Sequence, residues 1–284
     1  MLFNENDTAQ YYDEFGPVYP YFWTPQIHCG FFDGEKEKDL RAACEDMNRY
    51  LARLAGIQQG SKILTVGCGQ GGADRFLAKE YGAHVLGVDL SETQLGTART
   101  AASEASFSRI RYIKAPMTTL PCDDASMDII WAQQSFFHCH DKTKAVQEFH
   151  RVLRDGGRIV LEETTLHNST AREELLQVYG PRLKLNELLM AEELVTLFEQ
   201  TNLQLEECID LSQHLGETYR RINEGIEENR ATLRAALPDR FSEGIDRNFG
   251  MPISLRFVQE GKLGCHALVF VKSNISDLRV LSMQ

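Results

Sequence analysis

The chain has 284 residues, 43% of them hydrophobic, enough to bury a full α/β core and too apolar for intrinsic disorder. Its formal net charge of -11 repels phosphate backbones, which excludes nucleic acid as a partner unless the fold hides a basic patch. The seven cysteines are odd in number and include no C-x-x-C pair, so neither a disulfide framework nor a metal site is expected, and a reducing, cytoplasmic setting fits.

The first residues, MLFNENDTAQYYDEF, have neither the basic start nor the apolar core of a signal peptide, and no apolar run approaches ~18 residues, so no membrane association is expected. Residues 1–35 are rich in rings (Tyr11, Tyr12, Phe15, Tyr19, Tyr21, Phe22, Trp23, Phe31, Phe32), broken by Pro17, Pro20 and Pro25. The prolines argue against one long helix. An arm packed on the main domain and a lid over a pocket are compatible readings of this stretch. Leu40, Ala43, Met47, Leu51 and Leu54 then recur at steps of three and four, which predicts an amphipathic helix over 36–56.

Next come short apolar strands at 62–66, 84–89, 110–113, 128–133 and 158–163, alternating with helices near 73–81, 92–105 and 142–153. Ser91 and Gln94 have capping-box spacing, and Gly156-Gly157 marks a stop after the third of these helices. Repeated β-α-β units imply a mostly parallel sheet covered by helices on both faces. Helices at 169–179 and 191–201, a strand at 204–209, a long polar helical stretch from about 212 to 237 and a last strand at 265–272 complete the chain. We read 212–262 as an insertion between the last two strands, lying over the pocket edge. The expected organisation is an arm and helix forming a lid (1–56), a Rossmann-like core with a seven-stranded sheet (57–211), and the helical insertion plus the last strand (212–284). The basic clusters at 151–158 and 220–221 read as solvated helix faces.

Ile63-Leu64-Thr65-Val66-Gly67-Cys68-Gly69-Gln70-Gly71-Gly72 is a buried strand running into a glycine turn and a helix. Such a turn lets backbone approach a ligand closely and forms the floor of a nucleoside pocket at the strand's carboxyl end. The next strand ends in Asp89, 20 residues after Gly69, where a carboxylate suits both hydroxyls of a ribose. Gly72 falls in the register of a dinucleotide motif, so spacing alone leaves that cofactor open.

The phrase V-G-C-G-Q-G-G at 66–72 resembles motif I of the class I S-adenosylmethionine-dependent methyltransferases, and Val152-Leu153-Arg154-Asp155-Gly156-Gly157 is similar to another segment of that superfamily. The resemblance implies S-adenosyl-L-methionine as cofactor. It implies contacts from Gly67, Cys68, Gly69, Asp89, Leu90 and Gln94, from Pro116 and Met117 in the adenine-binding turn, and from Gln133 beside the methionine part. Many relatives have an aspartate at Pro116, and proline cannot take the adenine amino group. Trp131 reads as a core residue. Gln10-Tyr11-Tyr12-Asp13, Ile27-His28-Cys29-Gly30, the stretch 131–138, His214–Tyr219 and 257–264 resemble segments of the sarcosine/dimethylglycine N-methyltransferases. That implies a small zwitterionic acceptor, closure by Tyr12 or Tyr19 over the cofactor, and acceptor contacts from Trp23, His28 and Tyr219. Two departures stand out: Gln134 replaces an aspartate and Phe257 a tryptophan.

The expected function is methyl transfer to a small molecule, foremost N-methylation of a small amino acid or amine of the betaine-forming kind. S-methylation of a thioether acid, C- or O-methylation of a natural product, and a protein that binds the cofactor without transferring methyl are the alternatives. His138 and Gln134 are the catalytic candidates. A tertiary amine or thioether needs no base; a protonated amine does, and His138 or His28 titrates in the right range. A monomer or homodimer is expected.

Overall fold

The computed structural model describes residues 2–34 and 38–273; the ends of the sequence reading at 35–37 and 274–284 lie outside them. One sheet runs through the molecule in the order β3-β2-β1-β4-β5-β7-β6. Its strands are β1 (Lys62–Val66), β2 (His84–Asp89), β3 (Ile110–Lys114), β4 (Met127–Gln133), β5 (Leu153–Leu166), β6 (Leu203–Asp210) and β7 (Leu263–Lys272). The first five are parallel, and β7 runs antiparallel between β5 and β6.

The central strands are apolar on both faces, as a sheet covered twice requires. Ile63, Ile129 and Trp131 point into one core layer, whereas Leu64, Val66, Ile130 and Ala132 point into the other. The second layer is closed by stacked Phe198 and Phe270, whose ring centroids are 4.4 Å apart. Around the sheet lie α2 (Leu40–Leu54), α3 (Gly72–Tyr81), α4 (Glu92–Glu104), α5 (Lys142–Val152), α6 (Arg172–Leu183) and α7 (Ala191–Glu199). Between β6 and β7 come α8 (Ser212–Glu228), α9 (Arg230–Ala236), α10 (Ser242–Asp246) and α11 (Met251–Gln259). Among the described residues no helix is long and apolar enough to cross a membrane.

Three local expectations change. The arm contains a helix, α1 (Glu5–Phe15), which sequence reading left unassigned. It is started by Asn4, whose side chain accepts from the Asn6 and Asp7 amides while Asp7 accepts from the Asn4 amide. The Ser91–Gln94 pair forms only half a capping box: Ser91 Oγ accepts from the Gln94 amide, but Gln94 Oε1 has no partner. Nor do Gly156 and Gly157 stop α5, which ends at Val152 as the chain passes directly into β5. The glycines instead accommodate an irregularity in β5, with Gly156 at φ +68° and Gly157 packed against the Asp128 carbonyl.

Candidate functional site

The site lies at the carboxyl ends of β1, β2 and β4, under α1. Gly67, Gly69 and Gly71 have φ of +67°, +53° and +70°. A side chain at Gly67 would collide with Ser135, whereas one at Gly69 would meet only Gln94 Nε2, 3.7 Å away. The glycine turn therefore fits tightly underneath and leaves open space above. Asp89 faces that space: its Oδ2 accepts from the Gly69 amide and its Oδ1 from the Ser91 amide, both at 2.9 Å.

A cavity opens there. Of the expected cofactor contacts, Tyr12, Gly67, Cys68, Gly69, Asp89, Leu90, Gln94, Met117 and Gln133 line it. Pro116 does not, although its neighbours Ala115 and Met117 do. His28 also lines this cavity, with Nδ1 2.9 Å from the Cys29 carbonyl and Nε2 3.2 Å from Gln26 Oε1. Burial holds His28 down at about 4. Trp131 is buried, and its indole N–H donates to Gln133 Oε1 at 2.7 Å.

A second, smaller chamber lies alongside. Tyr19, Trp23 and Tyr219 line it, so Tyr19 sits away from the larger cavity and His28 away from the smaller one. Tyr12, Ile27, Gln134 and His138 line both and form the partition. Tyr12 Oη lies 2.8 Å from His138 Nε2. Burial, reinforced by Lys142 and His140, lowers the His138 pKa to about 3, so the ring is neutral at physiological pH.

Gln134 has φ +48°, a conformation that costs an ordinary residue roughly 1–2 kcal/mol. Two buried carboxyls behind it hold the loop. Gln134 Nε2 donates to Glu162 Oε1 at 2.7 Å, and Thr164 donates to Gln134 Oε1 at 2.6 Å. Glu163 accepts from the amides of Ser135, Phe136 and Phe137 at 3.0, 2.7 and 3.2 Å. Burial pushes Glu162 up to about 7 and Glu163 up to about 8. The Gln134 amide is thus spent on positioning the partition.

Sequence reading missed Arg182, in the last turn of α6. Arg182 lines the second chamber, with its guanidinium over Gly250 and 5.6 Å from the Tyr179 ring centroid and no carboxylate partner among the described residues. No sequence signal marks it, because α6 folds against the chamber only through long-range packing.

The larger cavity suits a nucleoside with an amino-acid tail. It combines the open space over Gly69, the acceptor lone pairs left on Asp89, and two buried amide atoms without partners, Gln94 Oε1 and Gln133 Nε2. Buried polar atoms without partners are costly, and a ligand relieves them.

Residues 64–161 match the family model of a methyltransferase domain. The chain is 27% identical to the (+)-O-methylkolavelool synthase of Herpetosiphon aurantiacus, over 87% of each protein. It is 29% identical to the glycine/sarcosine/dimethylglycine N-methyltransferase of Actinopolyspora halophila, over 84% of this chain and 41% of that protein. The crystal structure of a sarcosine dimethylglycine methyltransferase from Galdieria sulphuraria shares the fold, with a TM-score of 0.82, 23% identity, and coverage of 92% of this chain and 98% of that one. The chain carries a methyltransferase domain at residues 64–161 and has the Rossmann-like fold of the class I S-adenosylmethionine-dependent methyltransferases. It is related to the sarcosine/dimethylglycine methyltransferase group.

Proposed function

We propose that the larger cavity holds the cofactor and the second chamber a small acid whose neutral nitrogen or sulfur takes the methyl group. In this reading Asp89 holds the ribose, the 67–69 turn and Gln133 the amino-acid tail, and Met117 the base. Bound there, the cofactor supplies a methyl group on a sulfonium, which already carries its leaving group. The protein's task is then alignment and exclusion of water. Tyr12, Ile27, Gln134 and His138 surround the passage between the chambers. Tyr12 and His138 fix each other, and Glu162 and Glu163 fix the loop that carries Gln134 and His138.

The observation that carries the acceptor class is Arg182, a half-buried guanidinium without a carboxylate partner among the described residues, facing a chamber with Tyr19, Trp23, Phe137 and Tyr219. A buried cation calls for an anion, and the aromatic faces suit an onium group. His138, at about 3, is too weak a base to take a proton from an ammonium. That favours an acceptor that arrives with a free lone pair: a thioether acid, or a tertiary amino acid that has lost its ammonium proton to solvent before it enters, giving a betaine.

The likeness to the Herpetosiphon enzyme supports a second reading, O-methylation of an apolar acceptor. Leu183, Leu185, Leu188, Leu215, Met251 and Leu263 in the chamber favour it. A hydroxyl, however, must shed its proton on reacting, and among the described residues His138, a weak base, is the imidazole that lines the chamber.

Release of S-adenosylhomocysteine with dimethylglycine, methylthio acids and their decarboxylated analogues tests the proposal, with mass spectrometry separating N from S products. Arg182→Met should lower kcat/KM for the acid by on the order of a hundredfold, the cost of stranding an ion pair's partner, with cofactor affinity unchanged. Equal turnover of acid and decarboxylated analogue would overturn it.

A further inference from the structure

We propose that His167, Asp210 and His266 form a binding site for a divalent transition-metal ion, away from both cavities. The three come from different strands. His167 follows the end of β5, Asp210 is the last residue of β6, and His266 lies on β7 directly opposite Asp210 in the ladder. One ligand atom from each lies within 4.8 Å of the others, and His167 Nε2 is 3.8 Å from Asp210 Oδ2.

Two of the three prospective ligands, His266 and Asp210, are held by a second contact, as metal-binding side chains generally are. Thr165 Oγ1 meets His266 Nδ1 at 2.7 Å, and no hydrogen bond is made by Nε2 among the described residues. The Ser212 amide donates to Asp210 Oδ1 at 2.8 Å, which leaves Oδ2 facing His167. Ser212 Oγ lies 3.1 Å from His167 Nε2 and accepts from the Cys265 amide at 3.1 Å, so an ion on that nitrogen takes the place of the hydroxyl contact. The His167 ring also lies over Gly264, where any side chain would collide with it. The cluster is therefore shaped by three neighbours that make room for it and aim it.

The chemistry selects the ion. Two imidazoles and one carboxylate suit zinc and its neighbours in the first transition row, whereas calcium and magnesium prefer oxygen alone. The His167 and Asp210 side chains keep 26% and 58% of their exposure, so an ion enters from solvent and water completes its shell. Bound there, it would tie the ends of β5, β6 and β7 to Ser212, the first residue of α8. That helix carries Leu215 and Tyr219 into the second chamber. Cysteine spacing gives no hint of this site, because its ligands are 43 and 56 residues apart in sequence.

A second group of metal-binding residue types, Cys29, Glu162 and Cys265, is closed inside the core, and the experiment separates the two. Untagged protein, stripped with a chelator, is titrated calorimetrically with zinc, and its cobalt(II) derivative is examined by absorption spectroscopy. We expect one zinc per chain and a cobalt spectrum without a thiolate charge-transfer band. His167→Gln, an exposed and structurally mild change, should weaken zinc binding by about tenfold or more, and Thr165→Val should weaken it with all three ligands intact. A strong thiolate-to-cobalt band, or unchanged zinc affinity in both variants, overturns the site.

Discussion

Asp89 spends one lone pair of each carboxylate oxygen on the protein's own backbone, which aims the remaining pairs into the cavity. The side chain therefore has two linked tasks: it holds the end of the glycine turn at Gly69 and presents acceptors to a diol. Asp89→Ala should raise the dissociation constant for S-adenosylhomocysteine by on the order of a hundredfold, the loss of charge-assisted hydrogen bonds worth about 3 kcal/mol. Calorimetry measures it, and wild-type affinity would remove Asp89 from the site. His138 shows how environment decides a residue's role. The sequence presents an imidazole that titrates near neutrality, but burial and Lys142 hold it neutral, which favours a positioning role over that of a base.

The helix α1 is the element that closes the larger cavity, supplying Glu5, Thr8, Ala9 and Tyr12 to its wall. Besides ring contacts to Tyr19, His138 and Phe241, polar bonds at the helix and its flanks attach it. Asp13 Oδ1 accepts from Ser91 Oγ at 2.6 Å and from the Thr93 amide at 3.2 Å, at the start of α4. Gln70 Nε2 donates to the Gly16 carbonyl at 2.9 Å, and Asn186 exchanges hydrogen bonds with the Phe3 backbone at 2.8 Å. An element held this way opens locally at less cost than the sheet. Asp13→Ala should speed hydrogen exchange across 5–15 and weaken cofactor binding several-fold, while the main unfolding transition barely moves. Unaltered exchange in that segment would show that the aromatic contacts alone hold the helix.

Across the whole molecule, buried titratable groups set how stability responds to pH. Burial raises Asp74 and Glu162 to about 7 and Glu163 to about 8, so the folded state binds protons there that the unfolded chain has released. Their contribution is complete at low pH and falls away as pH rises toward their folded values. His28 and His138, lowered to about 4 and about 3, act the other way: stability grows as pH climbs from those values to the ordinary histidine range near 6.5. Above about 6.5 the raised carboxyls outweigh the histidines, so stability should decline between pH 6.5 and 8. Denaturant midpoints across that range measure the decline, and Glu163→Gln should flatten it. An equally steep fall in the variant would place its source elsewhere.

The order of strands and helices was legible in the sequence because local periodicity and glycine turns report local geometry. β1 and β2 have their predicted bounds, and the glycine turn and Asp89 face one cavity. The helix α1 was not legible, since its rings and prolines masked a capping box that a closer look at Asn4 and Asp7 would have found. Tertiary structure alone decided the partition between the chambers, the two carboxyls that hold its loop, and the arrival of Arg182 from α6. Those features join residues far apart along the chain, and nothing in a local pattern records which distant side chains a sheet edge will bring together. A run of residues fixes its own backbone preference, whereas charge state and ligand contacts depend on burial, which exists only once the chain has folded.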